Sequence, residues 1–253
     1  MVEVNRFIKI FNRTGEVHCI GKKSTEVFDL LFTNEDVNAY QFERPDILIT
    51  RNDRNILLEQ FQFDGTEAIK KSSSQRREQA ESAREFKRNM IEGDPNEVKI
   101  QEHRFKSVSS LTDYEINLNR VFDNHISKYD DYITNYNDSK ELLISEKIYN
   151  SVFDFGFIIE DTTLLPNFMS TKNHDKYLLT PFHFDSFKER LKEYPNLKHI
   201  FFITWNGSSK NIIYYYYNHD IKDLSEFVIE VSDRLLNFSP IQISATIRIP
   251  DEE

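Results

Sequence analysis

No stretch of the chain approaches the roughly 18 consecutive apolar residues that a membrane-spanning helix needs. The opening segment, MVEVNRFIKIFNRTGEVHC, carries a charged or polar residue every few positions, so the uninterrupted apolar core of a secretory leader is not expected. A lone cysteine, Cys19, leaves no partner for a disulfide within the chain, and a reducing cytoplasm is the simplest compartment. Only 6 glycines and 7 prolines exclude a collagen-like chain or a Gly-rich linker array, and they leave little material for glycine-dependent phosphate loops. GxGxxG, HExxH, CxxC and GxSxG are all missing, which removes the common dinucleotide, zinc-protease, zinc-ribbon and serine-hydrolase readings. Gly15 to Lys23, GEVHCIGKK, is a near miss to a nucleotide-binding loop: the glycine spacing is one residue too long, and Lys23 stands where a metal-binding Ser or Thr belongs.

What is present is aromatic and acidic. The 253 residues include 21 Phe and 12 Tyr, and a formal charge of -10 argues against a surface that is wholly a nucleic-acid clamp. Abundant Asn, Lys and Ile beside scarce Gly and Ala is a bias that AT-rich codons produce, which suggests a low-GC bacterium, a phage or another mobile element, or a defence locus. Length and composition fit one domain over 1–253 with a sizeable core.

Elements alternate along the chain. Val27, Leu30 and Leu31 follow helical spacing after Ser24 and Thr25, either of which can cap. Tyr40 to Phe42 is extended, Pro45 interrupts it, and DILIT and ILLEQFQF flank a short polar turn, which reads as a β-hairpin. From Thr66 to about Arg88 the chain is strongly polar, with Arg76, Arg77, Arg84, Lys87 and Arg88 among glutamates; a solvated helix is the plain reading, and a helix that tracks a nucleic-acid backbone the alternative. A long helix is predicted from Asp113 to about Tyr136. GFIIED, HIFFITW and NIIYYYY read as strands, Asp185 to Tyr194 and Asp223 to Leu236 as helices, and Ile241 to Ile249 as a strictly alternating strand. The expected class is α/β or α+β: a central mixed β-sheet flanked by helices, with a polar, helical insertion at approximately 66–150.

One constellation carries chemistry. In ILLEQFQF, period two puts Leu57, Glu59, Phe61 and Phe63 on one face, so Glu59 projects from an apolar row, where an unpartnered carboxylate is expensive to desolvate. It needs a cation, a metal or a hydrogen-bond donor. Asp46, at the start of the preceding strand, can converge on it if the strands pair antiparallel, and two convergent carboxylates suit Mg²⁺. The alternative is structural, with Glu59 held by Arg44 or Arg51 and Asp46 simply following a proline in a turn.

A helix bearing Glu26, Pro45-Asp46 on one strand and Glu59 in a hydrophobic strand after a short turn together resemble the PD-(D/E)xK nuclease-like superfamily. The resemblance covers roughly residues 20–70, with a helix and a strand to follow. It implies a restriction-endonuclease-like core, metal held by Asp46, Glu59 and more loosely Glu26, and a lysine two residues after the Glu that acts on the attacking water. That position holds Phe61, which can neither polarise water nor neutralise phosphate charge. Gln60 or Gln62 are the residues on that strand that could hold a water, and Lys70 or Lys71 could supply the charge from the following helix. Glu160-Asp161, a second acidic pair at a strand end, could complete the metal site.

Two classes of function follow. One is a metal-dependent nuclease with Mg²⁺ on Asp46 and Glu59 and nucleic acid along Lys70 to Arg88. The other is a weakly active or inactive nuclease-like protein, or an unrelated interaction module, that works by binding nucleic acid or a protein partner through its aromatic residues. No membrane association is expected, and the sequence does not specify an oligomeric state.

Overall fold

A computed structural model describes residues 17–32, 38–51, 54–65, 99–104, 111–163, 168–171, 176–205, 211–219, 231–235 and 241–246, together with isolated helical residues between 81 and 88. In chain order the elements are β1 (Val17–Cys19), α1 (Lys22–Phe32), β2 (Asn38–Gln41), β3 (Ile47–Arg51), β4 (Arg54–Phe63), β5 (Lys99–Arg104), α2 (Leu111–Ile126), α3 (Tyr129–Asp138), α4 (Lys140–Ser145), β6 (Phe153–Asp161), β7 (Phe168–Thr171), β8 (Lys176–Leu178), a 3₁₀ turn (Pro181–His183), α5 (Asp185–Glu193), β9 (Leu197–Trp205), β10 (Asn211–Tyr217), β11 (Val231–Leu235) and β12 (Ile241–Thr246).

Seven strands form one mixed sheet in the order β1-β10-β9-β6-β4-β3-β2. Strands β2, β3 and β4 pair antiparallel as a meander, whereas β4, β6 and β9 run parallel, joined by helical crossovers. The expected mixed sheet flanked by helices is therefore the observed one, and the hairpin β3–β4 lies inside it rather than at its edge. Both faces are covered, which is why β4 is apolar on both sides. Leu57, Phe61 and Phe63 enter a core with Tyr114, Leu118, Phe122 and Ile126 of α2, Tyr132 and Tyr136 of α3, and Phe187 and Leu191 of α5. Ile56 and Leu58 enter a second core on the opposite face, covered by α1 through Leu31, Val27, Phe28 and Phe32.

At Gly156 the backbone of β6 runs close against β9. A Cβ there would stand 2.4 Å from the His199 carbonyl oxygen and 2.8 Å from Leu58 Cδ2, so no side chain fits.

Several boundaries depart from the sequence reading. Helix α1 begins at Lys22, so Ser24 and Thr25 lie inside it; Thr25 Oγ1 donates back to the Gly21 carbonyl (3.3 Å), and Ser24 Oγ accepts from the Tyr217 N–H (2.9 Å). The long helix is broken at Ser127–Lys128 into α2 and α3, with Tyr114, Leu118, Phe122 and Ile126 at four-residue steps as the buried row, while Ile116 is exposed. Residues 99–104, expected in a helical insertion, form a strand that pairs antiparallel with β12. Val231–Leu235, expected within a helix from Asp223, is a strand paired with β7; its Val and Leu suit either state, and pairing decided it. The Asn206-Gly207 turn lies outside the described residues, as do the rest of the 223–236 segment, residues 66–80 and the side chains of β12. No helix among the described residues is long and apolar enough to cross a membrane.

Candidate functional site: a carboxyl pair beneath a histidine

The register of the hairpin builds the site. Ile47 pairs with Leu58 and Leu48 with Leu57, and one step outward this register sets Asp46 across from Glu59 on the same face. Asp46 Oδ2 accepts the Gln60 backbone N–H at 2.8 Å, which fixes its carboxyl at the mouth of the strand pair. The two side chains are hydrogen-bonded to each other.

Glu59 is 9% exposed, and its partners come from the helices overhead. His125 at the end of α2 places Nδ1 3.2 Å from Glu59 Oε1, and the Tyr132 hydroxyl of α3 donates to the same oxygen at 3.0 Å. Neither Arg44 nor Arg51 takes this role. The break at Ser127–Lys128 separates the two donors so that both reach one carboxylate.

These contacts split the pair. Burial pushes the Asp46 carboxyl above the usual carboxylate range, and the adjacent Glu59 charge adds to this, outweighing the Gln60 N–H. Burial acts on Glu59 in the same sense, but hydrogen bonds from His125 and Tyr132 outweigh it and hold Glu59 low. Of the two, Asp46 is therefore the carboxyl that keeps its proton to the higher pH. The same arrangement raises the Tyr132 hydroxyl, first by burial and then by the Glu59 charge.

Phe61, in the position where the resemblance expects lysine, is buried and stacks on His125 with centroids 4.4 Å apart and planes at 16°. The edge of Phe157 closes the ring's other contact at 5.2 Å. An aromatic wall thus orients the imidazole that holds Glu59. An open cleft of about 460 Å³ lies alongside, lined by Gln41, Phe42, Asp46, Gln60, Phe61 and His125 among others.

The remaining expected site residues fall elsewhere. Glu26 sits on α1, over the opposite face of the sheet from Glu59, is half exposed, and pairs with Lys22 and Lys23 at 3.9 and 3.5 Å. It does not join the acid pair: helical spacing told which residues share a face but not which face of the sheet the helix would cover. Gln60 and Gln62 border the cleft, but their amides grip Glu160, the latter at 2.6 Å, on the strand side away from Glu59. Asp161 is tied to the Tyr114 hydroxyl at 2.7 Å and the Thr163 N–H at 2.9 Å, so the second acidic pair is engaged away from the first. Lys70 and Lys71 lie outside the described residues, as does most of the Lys70 to Arg88 segment.

Among the described residues no group of three or more His, Cys, Asp or Glu side chains is arranged to hold a metal ion. Comparison with known protein families, with curated proteins and with solved structures finds no match to this chain.

Proposed function

We propose that this chain is a nuclease-like protein of the PD-(D/E)xK type that acts by binding, with little or no cleavage of its own. The reading is supported by a helix and an antiparallel meander (α1, β2–β4) followed, after β5, by the helices α2–α4 and the parallel strand β6, with Asp46 and Glu59 facing each other on the hairpin. The observation that carries the loss of activity is Phe61. Its buried ring occupies the lysine position and stacks on His125, so no cation rises from β4 beside the acids.

The donor set fits Mg²⁺ held by one or two carboxylates and several waters. Asp46, which lines the cleft, and Glu59 would hold the ion, and the ion would supply charge for a phosphodiester. Glu59 is already committed through Oε1 to His125 and Tyr132, which leaves its other oxygen for metal.

The competing reading, an active Mg²⁺-dependent nuclease, has one observation in its favour: His125 brings an imidazole from α2 beside the acid pair, where the motif's lysine would otherwise act. Incubation of purified protein with single- and double-stranded DNA and RNA in Mg²⁺ or Mn²⁺ separates the two. Binding without turnover is expected; robust cleavage abolished by Asp46→Asn and by Glu59→Gln would overturn the binding-only reading.

A further inference from the structure

At the other end of β3 from Asp46, a second pocket of about 450 Å³ opens where the β3–β4 hairpin meets the segment between α4 and β6. Its lining is almost wholly polar and includes Arg51, Lys147, Asn38, Asn150 and Tyr149. Arg51 Nη1 is buried and has no hydrogen-bond partner among the described residues. A guanidinium presents donors in a planar fork, and burying one of them unmet is costly unless an acceptor arrives.

Lys147 brings a second cation by an unusual route. Helix α4 ends with the Lys147 N–H donating to the Ile144 carbonyl at 3.0 Å and the Ile148 N–H to the Leu143 carbonyl at 2.9 Å. That is a Schellman ending, whose left-handed residue is usually glycine. Here it is Lys147, at φ 59°. A β-carbon in that conformation carries a strain that glycine avoids, yet the residue is a long cation whose chain lines the pocket. Among the described lining residues exposed Glu146 is the one carboxylate, against the two cations.

We propose that this pocket binds a phosphate group, with Arg51 offering the fork and Lys147 a point charge at the mouth. Asn38 and Asn150 stand beside them as amides for the remainder of the ligand, and the volume admits a nucleotide. The site is separate from the carboxyl pair and does not depend on whether that pair cuts. Free phosphate, a nucleotide and a nucleic-acid backbone all present the group the pocket recognises.

Titration of the full chain with inorganic phosphate, a nucleoside monophosphate and a short single-stranded oligonucleotide, at ionic strength matched with NaCl, tests the proposal. Saturable binding is expected for at least one probe, weakened about tenfold or more by Arg51→Met and by Lys147→Gly. Tightest binding of the oligonucleotide would assign the phosphate to a backbone, and of the monophosphate to a free nucleotide. Lys147→Gly carries a second signature, because glycine relieves the left-handed strain: its melting temperature should hold or rise while phosphate affinity falls. Absence of saturable binding to all three probes, or Lys147→Gly and Arg51→Met proteins that are folded and bind as wild type does, would overturn the proposal.

Discussion

Placing a lysine at position 61, where the proposed motif would carry one, is the most direct test of what that position does. Phe61→Lys removes a ring that is 4% exposed, stacked on His125 at 4.4 Å and met by the Phe157 edge at 5.2 Å. Losing a buried phenyl group and its aromatic contacts costs about 3 to 5 kcal/mol when nothing replaces it. The lysine stem refills part of that volume and the ammonium can reach the bordering cleft, so a net loss of about 2 to 3 kcal/mol is expected. For a chain of this length that lowers the melting temperature by about 5 to 10 °C, which should leave the protein folded at 25 °C. On the chemical side, supplying one donor to developing phosphate charge is worth about a hundredfold in rate. The assay is nicking of supercoiled DNA and cleavage of labelled RNA in Mg²⁺, with Asp46→Asn/Phe61→Lys as the control for contaminating nucleases. A gain of about a hundredfold over wild type, lost in the double variant, is expected. A folded Phe61→Lys protein with no metal-dependent gain would refute the assignment of this position to the motif.

Three further outcomes follow from contacts already described. Gly156→Ala should destabilise by about 3 kcal/mol in urea denaturation, because its Cβ would meet the His199 carbonyl at 2.4 Å in a neighbouring strand that cannot yield; a change under about 0.5 kcal/mol would contradict the strand spacing. Asp154 is half-buried, which raises its carboxyl, but fully buried His199 and the Arg54 guanidinium at 3.2 Å outweigh this and hold it low. Its stabilising contribution is therefore complete above the unfolded carboxylate range and lost as pH falls, so Asp154→Asn should cost about 2 kcal/mol at pH 7 and progressively less below about pH 4. Asp46, whose carboxyl is raised by burial and by Glu59, has the opposite sign: its proton is held more tightly in the folded state, and stability falls as pH rises through the folded value. Asp46→Asn keeps an acceptor for the Gln60 N–H and should stabilise the metal-free protein by up to about 1 kcal/mol at pH 7, with no gain at pH 3. Equal gains at both pH values would remove Asp46 ionisation as the cause.

The hairpin was legible because its information is local. Period-two alternation alone placed Leu57, Glu59, Phe61 and Phe63 on one face, and a tight turn between β3 and β4 leaves little freedom in register, so Asp46 had to arrive near Glu59. The helical elements were less legible. Val231–Leu235 carries Val and Leu at positions that suit a helix face or a strand, and its pairing with β7 lies about sixty residues back in the chain. Glu26 failed for a related reason: the sheet has two covered faces, and only packing of Leu31 and Phe32 against the far core decides which one α1 takes.

His125 and Tyr132 were the residues that sequence reasoning missed, although a signal for them was present. Glu59 in an apolar row demanded donors, and the donors had to come from whichever element covers that face. In a parallel β4–β6 pair that element is the crossover, which here runs through α2 and α3. His125 precedes the core residue Ile126 and follows Phe122 by three, so it borders the buried row, and Tyr132 lies beyond the break at Ser127–Lys128, buried in the same core. The buried carboxylate and the polar residues on the inner side of the crossover are thus two halves of one requirement. The first half fixes the need for a donor, and the second explains how Glu59 stays paired although its own strand offers Phe61, and no cation, two residues on.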